Sequence, residues 1–156
     1  VAGEGVFDGI VFLGACDKIV PAMLTPPPAW TCAILVTAGP CVPKIKPSQS
    51  KELRQRFLRG EITERQLIEE PKYYTGPGIC PFLGTANTMG ALCESLGMDA
   101  AGRQPDPVVH QHETVLRQKS GEVLMKMVEN QVKPSQIMTK NALENTVTLL
   151  SALADP

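Results

Sequence analysis

Three side chains of different chemistry stand side by side at Cys16, Asp17 and Lys18, directly after an apolar run (residues 10–13) and Gly14. A thiolate is a soft metal ligand or a nucleophile, a carboxylate is a hard oxygen donor, and an amine brings a proton or a positive charge. A second thiol, Cys80, lies in "GPGICPFLGTANTM", residues 76–89, ahead of an expected helix N-terminus. The free N–H groups and dipole of such a terminus favour an anion or a thiolate. Its glycines let backbone come close to a neighbour. On spacing alone, two readings stay open. The two cysteines share a metal or cluster, or each serves its own loop.

These residues need elements to hold them. Residues 7–16 and 32–38 are continuous apolar runs, each ending in glycine or another small residue. Continuous runs suit strands covered on both faces, as in a parallel sheet. Helices are expected over 50–60, with Leu53, Phe57 and Leu58 on one stripe; over 63–70, where Thr63 and Gln66 form a capping box; and over 84–97, with Ala86, Met89, Leu92, Cys93 and Leu96 inward and Gly97 at the end. Two more are expected, over 112–130 (Leu116, Val123, Leu124, Met127, Val128) and over 140–154, capped by Thr139 (Leu143, Val147, Leu150, Leu153). "TPPPAW" (25–30) cannot be helical throughout, residues 39–47 read as a loop, and "KPSQIMT" reads as a turn. The class is α/β: a mostly parallel sheet flanked by helices in three layers. Ligands in such folds sit outside the carboxyl ends of strands, which is where Cys16, Asp17 and Lys18 fall.

Composition narrows the function. The chain has 156 residues, enough for one domain with a core, and a net charge of -1 from 15 basic and 16 acidic residues. No basic block stands out, so nucleic acid is not an expected partner. No apolar run approaches the roughly 20 residues of a spanning helix, so neither is a membrane. The N-terminus has no basic and apolar leader pattern. It also lacks Met, and the C-terminus stops just after a helical pattern, so both ends read as cut and the chain as a piece of a longer protein. Five cysteines without a C-x-x-C pair argue against a secreted disulfide framework, a zinc ribbon or a thioredoxin site. A reduced, cytoplasmic setting is expected.

Three segments together carry a family resemblance. They are Gly14-Ala15-Cys16-Asp17-Lys18 with Pro21; Gly78-Ile79-Cys80 with Thr85-Ala86-Asn87-Thr88-Met89; and "VKPSQIMTKNALENTVTLLSAL". In this order they resemble the dihydroxy-acid and sugar-acid dehydratases. The resemblance covers residues 5 to about 153 and implies a partial N-terminal domain of a two-domain enzyme. It implies an iron–sulfur cluster, [2Fe–2S] most often and [4Fe–4S] as the other form, held by three cysteines beside a Mg²⁺. By motif position, Cys16 and Cys80 would be cluster ligands, Asp17 a Mg²⁺ ligand, and Lys18, carbamylated, a further oxygen ligand. Soft thiolates suit the cluster and hard oxygens suit Mg²⁺.

The implied reaction removes water from a 2,3-dihydroxy carboxylic acid to give a 2-keto-3-deoxy acid. "RFLRGEIT" (56–63) and "PFLGTA" lean toward the sugar-acid branch, with an aldonate such as xylonate as substrate; "TANTM" is shared with the branch that makes branched-chain amino acids. The remaining cluster cysteine and one Mg²⁺ carboxylate would lie before Val1, and a serine base and a Glu ligand in a second domain after Pro156. The isolated chain is therefore expected to be inactive, and the full-length enzyme to be a homodimer or homotetramer. Cys32, Cys41 and Cys93 match no ligand position and read as structural. His110 and His112 read as solvated or capping residues. Asn87 and Thr88 either contact substrate or cap the helix. "TPPPAW" departs from the family's helix start. An inactive remnant and a redox or metal-binding module built on Cys16 and Cys80 are the alternatives.

Overall fold

The computed structural model describes residues 6–25, 31–99 and 112–153, with backbone alone for 112–117. Two six-residue strands, β1 (Gly9–Gly14) and β2 (Cys32–Thr37), pair in parallel with Gly9 opposite Cys32 and Gly14 opposite Thr37. Between them runs a short helix, α1 (Ile19–Leu24). The sequence reading assigns no helix there, and the helix contains Pro21. It is tolerated because it falls in the first turn, where its missing N–H has no intrahelical partner to lose.

Among the described residues six helices follow: α2 (Pro47–Leu58), α3 (Glu64–Glu69), α4 (Thr85–Ser95), α5 (His112–Glu129), α6 (Pro134–Ile137) and α7 (Lys140–Leu153). The boundaries have local causes. Helix α2 starts three residues earlier than expected because Pro47 stands at its first position and the Gln49 side chain accepts from the Lys46 N–H at 2.8 Å. Gly60, at φ +73°, takes the left-handed turn after it. The Thr63 and Gln66 capping box opens α3, with the Thr63 N–H donating to Gln66 Oε1 at 2.8 Å. Gly97, at φ +76°, follows α4 as the sequence predicted. The stretch read as a turn at 133–139 instead contains the single helical turn α6, again with Pro at its start.

The sheet separates two apolar layers. Leu35 on β2 faces α1 and α4, packing with Val20, Cys93, Leu96 and Met98. Cys32 and Ile34 face the other way, against Met127 of α5, with Val123, Leu124 and Val128 around them. Ile137 of α6 touches both layers. Side chains one residue apart on a strand point to opposite faces, so this alternation fixes the helix–sheet–helix order. Burying a Leu35-sized side chain contributes roughly 1.5–3 kcal/mol. At Gly9 an added Cβ would lie 2.9 Å from Val128, so the small residue lets α5 sit close on β1.

Three expectations need correction. Strand β2 is buried along its whole length, but β1 is not: Leu13 is 71% exposed. Leu13 points to the α5 face yet lies at the far end of the strand from Gly9, where α5 packs. In α7, Leu143, Val147 and Leu150 of the expected stripe are exposed while Leu153 is half-buried, and the face turned to α4 carries Ala142 and Thr146, the latter hydrogen-bonded to Ser95. In α2, Leu58 is 82% exposed and no residue is buried, since α2 packs mainly on α3. A third chain segment also joins the sheet: Asp99 bridges Leu35 in parallel, with the Leu35 N–H donating to the Met98 carbonyl at 2.8 Å.

Among the described residues no helix is long and apolar enough to cross a membrane. Residues 26–30 of the proline segment lie outside the described residues.

Candidate functional site

Strand β1 delivers Cys16 two residues past its end. The cysteine sits at φ +81°, one of two non-glycine residues with positive φ among those described. A Cβ in that region costs roughly 1–2 kcal/mol, and such strain gathers at functional sites. The surrounding turn holds the residue there. The Cys16 carbonyl accepts from the Val20 N–H at 3.4 Å and the Lys18 carbonyl from the Ala22 N–H at 3.2 Å, so the loop is built into the start of α1. The Cys16 thiol is exposed and donates to Asp17 Oδ1 at 3.4 Å. Lys18 is the N-cap residue of α1 and its side chain makes no capping bond.

Strand β2 delivers the second loop. Past Thr37 the Ala38 N–H donates to the Gly14 carbonyl at 3.3 Å, which carries the parallel ladder one step beyond the strands. The chain segment 39–41 then takes Ile79 as a neighbour: Ile79 N–H donates to Gly39 and Cys41 N–H donates to Ile79, both at 2.9 Å. Cys80 is therefore fastened to the carboxyl end of β2, beside the carboxyl end of β1 that bears Cys16, Asp17 and Lys18. Gly78 makes this contact at φ +116°, where an added Cβ would stand 2.5 Å from the Cys41 amide nitrogen.

Asn87, on the first turn of α4 and 6% exposed, completes the loop. Its Nδ2 donates to the Cys80 carbonyl at 2.8 Å and the Phe82 carbonyl at 2.7 Å. The N-cap of α4 is Gly84, so Asn87 is neither a cap nor free; it clamps the cysteine loop from below. Its Oδ1 is buried and has no partner among the described residues. Cys80 is half-buried, and its Sγ lies 3.6 Å from the Tyr74 hydroxyl. That hydrogen bond pushes the tyrosine hydroxyl above its ordinary value, helped by the Cys80 charge, while Arg54 pulls it down.

Exposure sorts the five thiols. Cys16 is exposed and Cys80 half-buried, whereas Cys32, Cys41 and Cys93 are buried. Burial first, then the carboxylates of Asp99 and Glu94, push the Cys93 thiol up to about 12, so it stays protonated at neutral pH. His110 lies outside the described residues, and of His112 only the backbone is described, as the first residue of α5.

One group escaped sequence reasoning. Asp99 Oδ2 accepts from the Thr37 N–H at 3.1 Å and from the Thr37 hydroxyl, so a carboxylate closes the end of β2; its Oδ1 is buried and unpartnered. The only signal was an acidic residue just after an apolar turn.

Soft sulfur at 16 and 80 and hard oxygen at 17 are the donor types that an iron–sulfur cluster and a Mg²⁺ would need. The donor chemistry and its placement on one sheet edge fit such groups, but in part. Among the described residues no three His, Cys, Asp or Glu side chains converge as a metal set.

Helices on both sides of a parallel strand pair, with ligand-type side chains just past the carboxyl ends of the strands, define the class of protein as an α/β unit of the kind that binds at its strand ends. Residues 1–154 match the family described as dihydroxy-acid/6-phosphogluconate dehydratase, N-terminal, and the chain belongs to that family. Among curated relatives, it is 36% identical to the dihydroxy-acid dehydratase of Acetivibrio thermocellus, 34% to that of Pyrococcus abyssi and 37% to that of Halothermothrix orenii, each over 155 residues. These alignments take in 94% of this chain but 28% of each relative, so the chain spans between a quarter and a third of their length.

Proposed function

We propose that the polypeptide carrying this chain is a hydro-lyase that converts a 2,3-dihydroxy carboxylic acid into a 2-keto-3-deoxy acid and water. The observation that supports this is that two sequence-distant loops follow the carboxyl ends of one parallel strand pair: Cys16 to Lys18 directly after β1, and Gly78 to Cys80 through the hydrogen bonds of Ile79 to the segment after β2. Cys16 and Cys80 would hold the cluster, and Asp17 with a carbamylated Lys18 would hold Mg²⁺; unmodified, the lysine ammonium would repel that ion. When bound, the cluster supplies an open Lewis-acid position for a leaving hydroxyl and Mg²⁺ a hold on the carboxylate and 2-hydroxyl. The protein's part on this side of the site is to fix its donors: the α1 turn sets the direction of Cys16, and the Gly78 contact and the Asn87 clamp set that of Cys80. The rest of the ligand set and the base would come from outside the described residues.

The names of the relatives support a dihydroxy acid of the branched-chain biosynthetic type. The aldonate reading rested on residues 56–63 and on "PFLGTA", and the first of these segments has local work to do. Gly60 turns the chain, Glu61 pairs with Arg59 and Arg56, and Thr63 caps α3. An aldonate substrate is therefore the second reading. A cytoplasmic setting suits a labile cluster of this kind, and the homodimer or homotetramer is carried over from the family resemblance alone.

The test is anaerobic reconstitution of the whole polypeptide, with iron and sulfide analysis, followed by incubation with a branched 2,3-dihydroxy acid and with xylonate. A 2-keto acid from the first is expected; a product from xylonate alone would move the assignment to the sugar acids. Iron binding without any 2-keto acid would leave a metal or redox module, and neither iron nor product an inactive remnant.

A further inference from the structure

Tyr74 is the one side chain with a polar atom within hydrogen-bond distance of the Cys80 sulfur among the described residues. Its position has a cause. Residues 71–74 leave α3 and run back along α2, forming the wall of a cavity of about 250 Å³ with Ser50, Leu53 and Arg54. The Tyr73 ring meets Tyr74 edge-on, centroids 4.9 Å apart, and the Tyr74 hydroxyl lies 3.6 Å from the Cys80 sulfur. As a thiol, Cys80 donates to the Tyr74 oxygen. Once the sulfur is ionised, it can only accept, and the phenol O–H must be the donor.

We propose that Tyr74 is a positioning residue for the cluster: its hydroxyl donates to the Cys80 thiolate and raises the cluster's reduction potential. This rests on the function proposed above. A hydrogen bond to a ligating sulfur withdraws electron density and favours the reduced, more negatively charged state. It also holds Cys80 in one rotamer while the loop is otherwise tied only through backbone and Asn87. No existing contact of substrate or metal is needed for the bond to form.

The experiment uses the whole polypeptide, reconstituted anaerobically with iron and sulfide, as wild type, Tyr74→Phe and Tyr73→Phe. Tyr74 is exposed enough that losing one oxygen leaves the fold intact. Redox titration and the visible absorption bands of the cluster are the readouts. Tyr74→Phe should shift the midpoint potential to more negative values, displace the sulfur-to-iron bands and speed bleaching in air; Tyr73→Phe should leave potential and bands in place. A cluster-loaded Tyr74→Phe protein with wild-type potential and bands overturns the role of Tyr74 while leaving the dehydratase reading intact. A wild-type polypeptide that takes up no iron or sulfide overturns both.

Discussion

Gly78 and Cys41 touch backbone to backbone: a Cβ on Gly78 would lie 2.5 Å from the Cys41 nitrogen and 2.9 Å from its Cα. Neither atom can move without breaking the Gly39–Ile79–Cys41 hydrogen bonds. Gly78→Ala is expected to cost well over the ~1–2 kcal/mol of positive φ alone, with the excess coming from the contact. Gly76 is the control. It has φ +77° and nothing within 4 Å of its virtual Cβ, so Gly76→Ala should cost only the strain. Urea midpoints of the two variants check this, and equal losses would refute it.

Asn87 ties its helix to the carbonyls of Cys80 and Phe82. Asn87→Ala removes two donors but also a buried, unpartnered oxygen, so a net loss of about 1–2 kcal/mol is expected. Asn87→Asp keeps the size, removes the same donors and buries a carboxylate against two carbonyl oxygens, and should be the worse of the two. Denaturation at pH 7 gives the order. If Asp proves milder than Ala, the clamp is not what the side chain does.

The sequence made the two strands, their parallel pairing and the α4 core legible because continuous apolar runs and 3.6-residue spacing report burial directly. It also marked Cys16, Asp17 and Lys18, since their types are unusual beside a strand end, and Cys80, since it stands in a Gly-rich stretch ahead of a helix N-terminus. The clamp by Asn87 and the closure of β2 by Asp99 could not be read, because the first depends on the cysteine loop folding back over α4 and the second on a contact between residues far apart in the chain. Stripe reasoning failed at α7 for a related cause. Periodicity shows that a face is apolar, and Leu143, Val147 and Leu150 form one, but it does not say that α4 would instead meet Thr146.

Thiol exposure makes a simple prediction for the chain without metal. At pH 8 under reducing conditions, a small alkylating reagent should modify Cys16 first and Cys80 more slowly, leaving Cys32, Cys41 and Cys93 unmodified until denaturant is added. Peptide mass spectrometry over time gives the order. Early labelling of Cys93 would contradict the packing of α4 on β2.

Cys93 gives stability a dependence on pH. Its folded thiol is pushed from 9.0 up to about 12, chiefly by burial. Between those values the unfolded chain releases a proton that the folded chain keeps, so the folded state binds more protons and its stability falls as pH rises. The contribution is intact below about pH 9 and lost toward about pH 12, at a slope of up to about 1.4 kcal/mol per pH unit. Cys93→Ala lacks the group. It should be less stable than wild type at pH 7, from the packing it gives up, and should close that gap as pH climbs from 9 to 11. Lysines and tyrosines titrate equally in both proteins and cancel in the difference. Urea midpoints measured in parallel across that range test the sign: a gap that stays constant would mean that Cys93 titrates alike in the folded and unfolded chains.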